Sequence, residues 1–183
     1  MDDPSTAGRV AGPTTSVTMC AAEQLGQVGE LVSILTPDQY LHRPRGASPI
    51  AGHVRHCVDH YTAILAGAGS GTVDYDRRTR GGPVETDRDA ALARLAHVRR
   101  LVGTVAPGDL KRPVEVVSVV APDGSVARTP STVGRELVFV AHHAVHHLAV
   151  MVPLARALGV DVPAEFGYAP ATLAAGRRPG ADA

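Results

Sequence analysis

Near its C-terminal end the chain reads AHHAVHHLAV over residues 141–150, placing four of its nine histidines within ten residues. On a helix, residues i and i+4 share a face with Cβ atoms about 6 Å apart, close enough for two imidazoles to bind one metal ion. Two such pairs are present, His142 with His146 and His143 with His147. They point about 100° apart on a helix of 3.6 residues per turn, so only one pair can face a given axis. A site needs a third ligand from elsewhere. The stretch GHVRHCVDHY supplies candidates: His53, His56 and His60 stand at i, i+3 and i+7 and line one face, with Asp59 beside them.

Three neutral imidazoles with open positions for water or substrate are a usual arrangement for catalytic zinc, and imidazole also suits nickel, cobalt or iron. A closed structural site would ordinarily take four ligands, more often thiolates. A single buried histidine is usually just hydrogen-bonded, but seven of nine lie in two otherwise apolar stretches. Burying so many without a purpose would be costly, and metal binding is the favoured reading. His42 and His97 fall outside both stretches and read as surface or packing residues.

The elements that must carry these residues are legible from punctuation and periodicity. Ser16 is a plausible N-cap for a first helix running to about Thr36, with Val17, Cys20, Leu25, Val28, Leu31 and Leu35 at helical spacing and Pro37 stopping it. Ser48-Pro49 opens a second helix that ends at the glycines near 67–71. Thr86 caps a third, with Asp87 and Asp89 early and Arg99 and Arg100 late, as the helix dipole favours; Pro107-Gly108 ends it. Residues 113–130 hold two β-branched runs around Pro122-Asp123-Gly124 and predict a small β-hairpin. Ser131 or Thr132 then caps the last and most apolar helix, which runs to about Leu158 with Gly159 closing it, and Pro153 should kink it. The expected fold is all-α: an antiparallel four-helix bundle with a β-hairpin between the third and fourth helices, the fourth sitting centrally. Residues 1–14 and 176–183 lack periodic apolar positions and read as disordered tails around a single domain at 15–175, and 74–85 as a charged excursion.

The segments SPIAGHVRHCVDHY, VDYDRRTRGGPVETDRDAALARL, RELVFVAHHAVHHLAVM and AEFGYAPATL, in that order, resemble the DinB-like family of the DinB/YfiT superfamily of metalloenzymes. The resemblance implies a four-helix bundle with a divalent metal, zinc or nickel, bound by one histidine of the second helix and an i, i+4 pair of the last. Carried onto this chain, the first ligand falls on His56. An H-x-x-H-H pattern matched by His143, His146 and His147 selects His143 and His147; a sister pattern, H-H-x-x-H, fits His142, His143 and His146 and selects His142 and His146 instead. His53, Asp59 and His60 become partners of the ligands, with Asp59 and His60 the acid–base candidates, since the second ring nitrogen of a ligand needs a fixed partner. Glu136, on the stripe of His143, either serves the site or pairs with Arg135 or Arg55. The implied activity is that of a metal-dependent hydrolase or a low-molecular-weight-thiol S-transferase using bacillithiol, mycothiol or glutathione, with a small-molecule substrate. The alternative is a bundle of the same kind that binds metal or a partner without catalysis. Homodimers are common in the superfamily, which leaves a dimer open.

Composition sets outer bounds. Eighteen basic residues balance eighteen acidic ones, so overall charge recruits neither nucleic acid nor anionic membrane. Trp is absent and there are only two Phe and four Tyr, so the core must be aliphatic. The first residues lack the basic and apolar regions of a secretory signal, and histidines interrupt the longest apolar run; the expected location is the cytoplasm. Cys20 and Cys57 are too few for a disulfide framework and read as buried thiols.

Overall fold

The computed structural model describes residues 16–77 and 80–176, so the two tails expected to be disordered lie outside the described residues, apart from Gly176. Four long helices make the bundle: α1 (Val17–Ser33), α3 (Ile50–Ser70), α5 (Arg88–Gly103) and α6 (Val133–Ala157). Short helices α2 (Pro37–Leu41), α4 (Pro83–Thr86) and α7 (Pro170–Gly176) lie between or after them. Around the bundle, α1 packs on α5 and α6, and α3 packs on the same two helices, so α1 faces α3 across the diagonal. The buried hydroxyl of Tyr61 on α3 spans that diagonal and donates to the carbonyl of Ala21 on α1 at 2.8 Å.

Most boundaries follow the local chemistry of the sequence. The Ser16 hydroxyl accepts from the N–H of Met19 and starts α1. That helix ends at Ser33 rather than Thr36, because Thr36 and Gln39 form a capping box that opens α2, with Pro37 at its first position. Pro37 therefore starts a helix instead of only stopping one. The cap of α5 is Asp87, whose carboxylate accepts from the N–H groups of Asp89 and Ala90, and not Thr86, which closes α4. Thr132 caps α6 through the N–H of Arg135, freeing Ser131 for another partner.

The hairpin is present as β2 (Pro113–Val119) and β3 (Val126–Thr132), with Gly124 at φ 85° in its turn. A strand that sequence reading missed, β1 (Thr72–Asp74), adds in parallel beside β2, pairing Val73 with Val116, so the supposed charged excursion begins as sheet. Gly67, in the last turn of α3, lets β1 pass: a Cβ there would collide with the Val73 side chain and sit 2.9 Å from the Thr72 carbonyl oxygen.

The last helix is not central. It forms one wall, with Leu137, Val140, Ala144, Leu148 and Met151 buried and a solvent-exposed stripe of Arg135, Val138, His142, His146, Ala149 and Pro153. Its apolar appearance comes from small or aliphatic residues on that outer stripe, not from burial on all sides. Its length and hydropathy would by themselves suit a membrane span, contrary to the expectation that histidines rule this out; its buried face packs on α1 and α3. The core is mainly aliphatic as expected, with Tyr40 and Tyr61 its largest fully buried side chains; Cys57 lies within it, whereas Cys20, expected to be buried, is only half-buried at its edge.

Candidate metal centre

Helices α3 and α6 are neighbours, and the histidine faces of both turn toward their shared seam. The Nε2 atom of His143 lies 3.0 Å from Nε2 of His56 and 3.1 Å from Nε2 of His147. An imidazole nitrogen carries either one proton or one lone pair, so these two contacts cannot both be ordinary hydrogen bonds. A divalent cation held between these rings would resolve the conflict, since neutral imidazole nitrogens brought this close together are a donor set such ions take. The donor set thus fits a divalent metal. Burial, followed by the charges of His143, His53, His146 and His60, pushes His147 down to about 3, so its ring stays neutral as ligation requires.

The remaining histidines of α3 touch this trio. Nδ1 of His53 is 3.0 Å from Nδ1 of His147, so one ring donates and the other accepts. His60, 6% exposed, donates from Nδ1 to the carbonyl of His56 at 3.0 Å, which leaves its Nε2 as an acceptor. Its ring stacks on His143 at 4.3 Å and on Tyr75 at 4.9 Å. Ring nitrogens of His56, His60 and His143 all lie within 4.8 Å of one another, so His60 is itself within range of an ion. Asp59 is bound through Oδ2 by Nη1 of Arg55 at 2.6 Å. Outside the cluster, His142, His146, His42 and His97 are exposed, although the His146 ring still lies 5.3 Å from that of His147. Burial raises the Cys57 thiol to about 12, which keeps it a neutral packing group.

Two aromatics that sequence reading passed over complete the inner wall. Tyr75 follows β1 directly and brings its ring parallel to His60, at an interplanar angle of 13°. Its hydroxyl donates to Oε2 of Glu136 at 2.7 Å. Glu136 is 1% exposed, and its other oxygen accepts from Ser131 at 2.6 Å and from Arg135 at 2.8 Å. So Glu136 does pair with Arg135, and it also anchors the tyrosine that covers His60. Phe139 stacks on His143 from the same helix, with the Arg135 guanidinium over its outer face. The run TVDY, alternating polar with β-branched or aromatic after Gly71, was the available signal for Tyr75.

A sequence model of the DinB superfamily matches residues 23–151, more than half of the chain. Among solved structures, a DinB-like protein of Bacillus subtilis, YjoA, superposes with a TM-score of 0.57 at 12% identity, covering 80% of this chain and 95% of its own. YfiT of the same organism, described as a probable metal-dependent hydrolase with an unusual four-helix bundle topology, gives 0.56 at 16% identity, covering 85% and 97%. At such identities the likeness speaks to the fold. A curated Rhizopus delemar protein, FK506-binding protein 5, is 34% identical over 102 residues, which is 55% of this chain and 26% of that protein, so the chain spans about a quarter of that relative's length.

Proposed function

The chain belongs to the DinB superfamily, and from that premise and the ring geometry we propose a metal-dependent enzyme that acts on a small molecule, as a hydrolase or thiol S-transferase. His56, His143 and His147 hold one divalent ion, zinc or nickel. The observation that carries this reading is the approach of three Nε2 atoms, 3.0 and 3.1 Å apart in sequence His56, His143, His147. A bound ion would supply Lewis acidity, lowering the pKa of a water or a thiol so that a nucleophile is present at neutral pH.

The chain's own groups do the rest. His53 accepts the Nδ1 proton of His147 and so fixes the tautomer that directs Nε2 inward. His60, whose Nδ1 donates to the His56 carbonyl and whose ring lies against His143, is the residue placed to take a proton from the nucleophile and return it to the leaving group. Asp59 acts through Arg55, which it steadies against Glu85. Tyr75 and Phe139 exclude water from the inner side of the rings.

The test is metal content. Untagged protein loaded with zinc or nickel should retain one equivalent; His143→Ala and His147→Ala should abolish that binding, whereas His142→Ala and His146→Ala should spare it. Substoichiometric metal that does not rise on addition of either ion sinks the proposal. A second reading draws on the reach of His60: were it a fourth ligand, the sphere would close and the protein would bind metal without turnover. Ligand counting by X-ray absorption separates the two, three imidazoles supporting the enzyme and four the closed site.

A further inference from the structure

On its outer side the cluster opens into a cavity of about 590 Å³, lined by His53, His56 and His147 and walled by Arg43, Arg80 and Glu85. Arg55 also borders it, but that guanidinium is taken, with Nη1 on Asp59 at 2.6 Å and Nε 2.9 Å from Glu85 Oε1. Glu85 is occupied as well, accepting the Gly81 N–H at 2.5 Å. Arg43 makes no hydrogen bond or ion pair among the described residues, and Arg80 acts on Glu85 only through its field. In a chain whose charges cancel overall, this wall sets three arginines against the single carboxylate of Glu85, with Asp59 pairing Arg55 from outside the cavity, so its lining is net positive.

The histidine on the floor adds a donor. If His147 ligates through Nε2, its proton sits on Nδ1 and is given to Nδ1 of His53, 3.0 Å away. The proton of His53 must then reside on Nε2, the one hydrogen-bonding atom of that ring not used by His147.

We infer that this cavity takes a carboxylate-bearing small molecule, its carboxylate held by Arg43 and Arg80 and a second acceptor atom met by the His53 Nε2–H. A planar guanidinium matches a carboxylate through paired, charge-assisted bonds, and an anion meets the net positive charge of the wall. The inference deepens the metal-centre reading and rests on it for the orientation of His53; the arginine wall stands without it.

The experiment is an NMR titration of 3-mercaptopropionate and of its methyl ester into metal-free and zinc-loaded protein. The acid should shift the side-chain Nε–H resonances of Arg43 and Arg80 in both forms and bind roughly tenfold tighter than the ester, the scale of one charge-assisted contact. Combined Arg43→Gln and Arg80→Gln should erase that preference and leave the ester's affinity unchanged. Equal affinity of acid and ester for the metal-free wild type, or a preference that survives the double substitution, overturns the inference. In the zinc form, long-range proton–nitrogen spectra should show His53 protonated on Nε2; protonation on Nδ1 overturns its assigned role. Failure of the metal reading has a separate signature: zinc would tighten neither thiol, while the arginine-dependent preference of the metal-free protein would persist.

Discussion

Replacing Tyr75 by Phe removes one oxygen and keeps the ring that lies parallel to His60. That oxygen donates to Glu136 at 2.7 Å, between residues that are 8% and 1% exposed. Burial, and then the bond to Glu136, raise the phenol well above the ordinary tyrosine range, so it is a neutral donor wherever the protein is folded. Losing a hydrogen bond to a carboxylate costs about 1.5–3 kcal/mol. For a chain of this length each kcal/mol moves Tm by about 2–4 °C, giving a fall of about 3–12 °C. Glu136 keeps its bonds from Ser131 and Arg135, so the variant should still fold. Calorimetry and urea unfolding of metal-free protein measure the effect, and the urea dependence of stability should keep its slope. A cycle with Glu136→Gln should give a coupling of about 0.5–3 kcal/mol, as expected for residues in direct contact. A Tm change under about 1 °C, or a coupling near zero, would mean that water replaces the phenol and that Glu136 does not anchor the tyrosine.

His53→Ala should weaken zinc binding by about 10–100-fold without changing its stoichiometry, the usual scale for losing the partner of a ligating histidine; competition with a chromophoric chelator reads it, and unchanged affinity would remove His53 from the site. Stability of the metal-free protein should depend on acid: the folded state keeps His147 neutral down to about 3 while the unfolded chain protonates it below its ordinary value of 6.5. The unfolded state then binds the extra proton, so stability is complete above the upper value and falls as pH drops toward the lower one. Urea midpoints should follow that slope in the wild type and flatten in His147→Gln; a flat wild-type profile would contradict it. Gly67→Ala should cost about 1–3 kcal/mol by pushing β1 off α3, read as a lowered urea midpoint, and a neutral result would show that β1 yields freely.

The histidine faces were legible because helical spacing is a property of the sequence itself: it put His53, His56 and His60 on one face and two i, i+4 pairs on the last helix, while only the family resemblance singled out His56, His143 and His147 among them. What periodicity could not supply was the company those helices keep. That α3 borders α6, and that α1 crosses the diagonal, depends on packing between segments far apart in the chain. The expectation of a central last helix failed for a related reason, since Val138, Ala149 and Pro153 read as core residues by type yet face solvent. Tyr75 was missed because a three-residue strand carries almost no periodic signal and becomes a strand only by pairing with β2. Thr36 misled in the opposite direction: its capping box is a local motif in plain view, overlooked beside the stronger punctuation of Pro37.

His56 and His143 are 87 residues apart in the chain and touch in the fold. An ion joining them would act as a reversible crosslink, and closing a loop of that size carries an entropy cost on the order of 4 kcal/mol that the disordered chain would have to meet to hold the same ion. Metal would therefore select the folded form almost exclusively, adding about 4 kcal/mol when its free concentration is about a thousand times Kd. Chains that fail to acquire the ion would spend more time open to proteases, so cofactor supply would also govern how long each molecule survives.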